Sequence, residues 1–129
     1  MRLNRAVVIG LDLDEWVLIK PFIATRSEIS VPAGFVTDFA SIPRFFWRVL
    51  PPHGRIKEPA IVHDYLYAID HDKKAADLEF KKLMKVYRVT WWRRVAAYHA
   101  VRVFGSKKKS IEQFKKRGLL KTPEHYLRP

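Results

Sequence analysis

Pro59-Ala60-Ile61-Val62-His63-Asp64-Tyr65-Leu66-Tyr67-Ala68-Ile69 sets an imidazole, a carboxylate and a phenol inside one apolar run. Glu58 and Pro59 suit a helix start, so the stretch reads as a helix that ends near Asp70-His71. On that helix His63 and Tyr67 lie one turn apart on the same face, and Asp64 is rotated about 100° from His63. A general base and a cation ligand could then come from neighbouring residues aimed at one cleft. The same three residues read equally well as core polars, His63 and Tyr67, beside a solvated carboxylate, Asp64.

Downstream, Lys73 to Arg88 places Ala76, Phe80, Leu83, Met84 and Tyr87 at helical spacing. A connection of only Ile69 to Asp72 predicts that this helix packs antiparallel to the first. Asp77, at the edge of the apolar stripe, is then placed to accept a hydrogen bond from one ring nitrogen of His63 and leave the other as a base. The competing reading is an exposed Asp in the first turn, favoured by the helix dipole. Thr90 reads as the N-cap of a third helix that runs to Phe104 and closes at Gly105, with Val95, Tyr98, Val101 and Arg102 near one face. Ile111 to Leu120 reads as a last, basic helix. Ser106 to Ser110, with Lys107, Lys108 and Lys109, reads as a mobile surface loop.

Upstream, Arg5 to Leu13 and Trp16 to Ile23 are rich in Val, Ile and Leu and flank a turn at Asp12 to Glu15. Ser27 to Val31 alternates polar and apolar before Pro32-Ala33-Gly34. These segments predict a small antiparallel sheet. Between Phe35 and Pro43, Thr37 or Asp38 before Phe39, and Ser41 before Pro43, are candidate helix caps. A short helix over Arg44 to Val49 is expected to stop at Pro51-Pro52-His53-Gly54. Asp38, in a loop between sheet and helix, pairs with Asp64 as a candidate oxygen site for calcium, or serves only as a cap. The whole reads as one α+β domain over residues 1–129. Strands occupy 1–35, helices and the candidate site 36–105, and a basic segment 106–129.

The composition, 48% hydrophobic and 13% aromatic, fits a folded globular chain rather than a disordered one. The absence of cysteine excludes disulfides and thiolate metal sites, so any metal would be held by His, Asp, Glu or backbone oxygen. No run is long and apolar enough to span a bilayer, and the first residues do not form a signal peptide. The expectation is therefore a soluble protein of a host cytoplasm or a virion. Charge is lopsided: residues 1–80 carry ten Lys/Arg against eleven Asp/Glu, and residues 81–129 carry fifteen against two. A polyanionic partner for the C-terminal third follows, whether an anionic membrane surface or nucleic acid. Trp91, Trp92, Arg93 and Arg94, with Lys107, Lys108 and Lys109, are its candidate contacts, since indoles beside cations suit a phospholipid headgroup layer and equally suit stacking on bases.

The blocks Val31-Pro32-Ala33-Gly34-Phe35-Val36-Thr37-Asp38-Phe39-Ala40-Ser41-Ile42-Pro43, His63-Asp64-Tyr65-Leu66-Tyr67, Ala76-Asp77 and Val101-Arg102-Val103-Phe104-Gly105 resemble a family of small phage and prophage proteins built on a domain of unknown function. The resemblance covers about residues 30 to 105. It implies a phage origin more than an activity. The His63 block is also similar to the His-Asp-x-x-Tyr helix of phospholipase A2 enzymes. By position, that similarity implies His63 as the base, Asp64 as a calcium ligand, Asp77 as the orienting group and Tyr67 as a hydrogen-bond partner of Asp77. The chain departs from that family in two ways: the glycine-rich calcium loop has no clear counterpart, and Leu66 replaces a half-cystine.

Three functions follow. The first is a phage-encoded hydrolase of lipid or cell-envelope ester or amide bonds. The second is a non-enzymatic tail or head accessory protein that binds other phage structural proteins and in which the His/Asp/Tyr cluster fixes helix packing. The third is a nucleic-acid-binding factor.

Overall fold

Val8–Asp12 (β1) and Glu15–Leu18 (β2) pair antiparallel, with Val8 opposite Leu18, Ile9 opposite Val17 and Gly10 opposite Trp16. The computed structural model describes residues 2–12, 15–38, 44–46, 48 and 54–119. Beyond β2 the chain does not continue as one strand to Ile23. Pro21 has no N–H for a ladder, and pairing resumes only at Phe22–Ile23 (β3), which joins Ser30–Val31 (β4) in a separate two-stranded ribbon. Val36–Thr37 (β5) then returns to the free edge of β2, giving a three-stranded sheet of order β1-β2-β5. Thr37 is thus a strand residue and not a helix cap. Phe39, Ser41, Pro43 and Pro51 to His53 lie outside the described residues; of the short helix expected over Arg44 to Val49, Arg44–Phe46 forms a single 3-10 turn.

A second 3-10 turn, Gly54–Ile56, leads into Lys57–Ala68 (α1), which opens slightly before Glu58 and Pro59. Pro59 falls in the first turn, where its missing N–H removes no helical bond. Ten of the residues of α1, from Glu58 to Ala68, are buried, and the reason is topological: α1 is central, with Lys73–Val86 (α2), Lys107–Arg117 (α4) and β5 packed around it. A helix enclosed in this way is apolar nearly all round instead of on one stripe. Glu58, read from sequence as a helix opener, is fully buried. Its carboxylate accepts from Ala6 N–H at 3.2 Å and from Arg5 at 3.4 Å, which fastens the N-terminal arm to α1.

The connection Ile69 to Asp72 reverses the chain, with Asp70 left-handed at φ 61° and Asp72 capping Ala75 N–H at 2.9 Å. Helix α2 buries Ala76, Phe80, Leu83 and Met84, the stripe that the spacing predicts. It packs on both α1 and Trp91–Phe104 (α3). Thr90 does sit at the N-cap position of α3, but its side chain caps nothing, and Val95 points outward while Ala97, Ala100 and Val101 turn in. The largest departure is α4. It starts at Lys107, so the lysine run is helical and not a mobile loop. Lys107 Nζ donates to Asp70 Oδ1 and to the His71 carbonyl, each at 2.9 Å, while Phe114 meets Phe35 and Tyr65 edge to face.

Candidate functional site

The antiparallel pairing of α1 and α2 brings His63, Tyr67 and Asp77 together, as their spacing predicts. Asp77 Oδ1 lies 2.7 Å from His63 Nε2 and accepts from the Tyr67 hydroxyl at 2.6 Å. Its second oxygen, Oδ2, accepts from Lys73 Nζ at 2.9 Å and from Arg102 Nη1 at 2.8 Å. Lys73 also donates to the Val101 and Arg102 carbonyls at the end of α3, at 2.8 and 3.3 Å. One carboxylate therefore ties three helices together. His63, Tyr67 and Asp77 have no exposed surface, and the imidazole stacks on Phe80 at 4.7 Å between ring centres.

Burial would push the Asp77 carboxyl up, but the bonds from His63, Tyr67 and Lys73 together outweigh it and hold the group well below the usual carboxylate range. Asp77 is thus an anion that only accepts, and this fixes the tautomer: Nε2 of His63 carries the proton and Nδ1 the lone pair. Burial lowers the His63 pKa, against the opposing pull of Asp77, so the ring is neutral at pH 7. The Tyr67 phenol is pushed above its ordinary value by burial and by its bond to Asp77. Among the described residues, His63 Nδ1 is the buried side-chain polar atom without a hydrogen-bond partner.

Asp64, rotated away from His63, faces the sheet. Thr37 Oγ1 donates to its Oδ2 at 2.6 Å. Burial lifts its pKa to about 7, with the Thr37 bond opposing and the negative charge of Asp38 adding to the rise. A cavity of about 10 Å³, room for about one water, lies between Asp64, Phe35, Ser110 and Phe114. Among the described residues no group of three or more His, Asp or Glu side chains is placed to hold a metal ion.

The candidate contacts for an anionic surface divide between the two ends of α3. Trp91, Trp92 and Arg93 are exposed at its start; Arg94 is half-buried and donates to the Val89 carbonyl at 3.3 Å. Lys107 is committed to Asp70 and His71 beyond its far end, which leaves Lys108 and Lys109 exposed.

Sequence reasoning did not find Lys73, Arg102, Thr37 or Gly105 as parts of the site. The Lys73–Asp77 pair has the i, i+4 spacing of a helical ion pair, so that signal was present. Gly105 is held to a hydrogen side chain by crowding: a Cβ there would lie 2.6 Å from the Tyr67 hydroxyl and closer still to the Val101 carbonyl.

A family described as a protein of unknown function, DUF1353, matches residues 16–101. The chain belongs to that family. The DUF1353 match takes in β2 to α3 and includes Asp38, His63, Asp64, Tyr67, Lys73 and Asp77, whereas Arg102, Gly105 and α4 follow it. No curated protein and no solved structure matches the chain.

Proposed function

We propose that this DUF1353 protein is a phage-encoded hydrolase of lipid or cell-envelope ester or amide bonds in which His63 activates water. The observation that carries the reading is the orphaned Nδ1. A buried acceptor without a partner costs free energy, and native proteins keep few such atoms without a use for them. Here the partner atom Nε2 is fully engaged, the tautomer is fixed and the ring is neutral, which is the state a general base needs. In the proposed step Nδ1 takes a proton from water as the water oxygen attacks the carbonyl carbon. Asp77 stabilises the imidazolium that forms. The proton then passes from Nδ1 to the departing alcohol or amine as its bond to carbon breaks. The phage origin and the lipid or envelope substrate rest on the sequence resemblances.

A specific observation favours the non-enzymatic reading as well: His63, Tyr67 and Asp77 are wholly enclosed, so hydrolysis requires a path to Nδ1 to open when substrate binds. The two are separated by assaying short- and long-chain phospholipid and acyl-amide substrates with the parent, His63→Gln and Asp77→Asn. Hydrolysis lost in both variants at retained fold supports the base. Parental rates in His63→Gln reject it, and lost stability with no activity in any form supports a packing network in an accessory protein.

A further inference from the structure

We propose that the outward face of α3 docks on an anionic phospholipid bilayer, its indole and valine side chains entering the interface and headgroup phosphates settling in two basic hollows beside it. Trp91 and Val103 are each 70% exposed, Val95 50% and Trp92 43%. Their positions, with exposed His99 between them, fall within one side of the helix, opposite the buried Ala97, Ala100 and Val101. The stripe runs about 20 Å along a 14-residue helix. At its C-terminal end Phe104, exposed but turned to the other side of the helix, meets exposed Phe45 edge to face at 5.5 Å. Contiguous apolar surface of this kind on a folded chain marks an interaction site.

Both flanks are cationic. One hollow, of about 330 Å³, is lined by Arg55, Arg88 and Arg93; the other, of about 360 Å³, by Lys81, Lys85 and Arg94 together with Val95, Tyr98 and His99. Among the described residues no carboxylate lines either, so an anion entering either hollow would relieve the like charges there. Nucleic acid would satisfy the cations and the indoles. It would gain little from the outward valines, whereas the boundary between headgroups and acyl chains buries them. A helix carrying an apolar stripe between basic flanks is the arrangement that lies flat in such an interface.

This inference does not rest on the hydrolytic reading, because it uses only exposed residues of α3 and its flanks and His63 is fully buried. The test is flotation of the full chain with vesicles of phosphatidylcholine alone or mixed with phosphatidylglycerol, across a salt series, beside duplex and single-stranded DNA. Tryptophan emission is followed in parallel, and circular dichroism checks that each variant folds. The expected result is binding only when phosphatidylglycerol is present, with emission shifted to the blue. Arg93→Glu with Lys85→Glu should weaken low-salt binding by about tenfold or more. Trp91→Ala should remove the fraction that survives high salt, since apolar insertion is not screened. His63→Gln should bind as the parent does. Binding to DNA with none to vesicles, binding to neither, or vesicle binding that both surface variants leave unchanged overturns the proposal.

Discussion

Replacing Asp64 by Asn should stabilise the protein at neutral pH and do progressively less as the solution is acidified. Asp64 is enclosed, its carboxyl raised from 3.8 to about 7 by burial. On raising the pH the unfolded chain releases this proton first, so it is the unfolded state that gains. The stability lost begins near pH 4, grows by about 1.4 kcal/mol per pH unit, and levels off near pH 7 at about 4 kcal/mol, an upper bound because the protein relaxes. Asn cannot ionise, still accepts the Thr37 hydroxyl, and offers amide protons near the Asp38 charge. For a chain of this size a gain of a few kcal/mol corresponds to a rise in Tm of about 10 °C. Urea unfolding of the parent and Asp64→Asn, in chelator, at pH 4, 6 and 8 measures it directly. A difference that does not vary with pH, or a variant less stable than the parent at pH 8, would refute the argument that burial of a charge dominates this site.

Four further outcomes follow. If Asp64 and Asp38 do hold a cation, millimolar calcium should raise the parental Tm and leave Asp64→Asn unmoved, because an ion that binds only the folded state stabilises it by linkage; no shift in the parent would remove calcium from the account. With a hydrolysed substrate in hand, His63→Gln should lose activity, and the acid limb of the parental rate profile should fall below pH 6.5, since burial lowers the His63 pKa. Gly105→Ala should cost about 1–3 kcal/mol in urea unfolding, because the added methyl meets the Tyr67 hydroxyl and the Val101 carbonyl; an unchanged midpoint would mean that α3 yields there. The fourth is an upward move of the His63 titration in Lys73→Met, because the Lys73 charge opposes protonation of the ring.

The α1–α2 hairpin was legible because two signals agreed. The stripe Ala76, Phe80, Leu83, Met84 sets the face of α2, and a four-residue connection sets its direction, which together deliver Asp77 to His63. Interactions across long sequence gaps were not legible. Arg102 reaches Asp77 from α3, and Glu58 meets Ala6 from the opposite side of α1; nothing local in either residue announces a partner. Thr37 was misplaced because a hydroxyl before an apolar run reads as a cap, and only pairing with β2 shows it to be a strand residue. The lysine run read as a loop for a related reason: charge without apolar periodicity hides a helix start whose support is tertiary, from Ser110 and Phe114 on the α1 side. Pro21, by contrast, carried a local signal for the break between the two sheets that the apolar richness of Trp16 to Ile23 concealed.

Asp77 does more than orient the imidazole, because its charge is already shared with two cations. In a bare His–carboxylate pair the whole anion is available to an imidazolium; here Lys73 and Arg102 take Oδ2, and the positive charge of Lys73 itself opposes protonation of His63. The network therefore trades base strength for readiness. The ring is a weaker base than a free histidine and stays in its base form at neutral pH; in the proposed hydrolysis it would give its proton up easily to a departing group. Lys73→Met should undo part of this by removing a charge that disfavours the imidazolium, and the variant should fold, since Lys73 is partly exposed and Arg102 keeps its bond to Asp77. The reading is a nuclear magnetic resonance titration of the His63 ring, which needs no substrate: its midpoint should move upward in Lys73→Met. A midpoint that stays put or moves down would show that desolvation alone sets the state of His63, and that the second pair of bonds to Asp77 serves only to hold α3 in place.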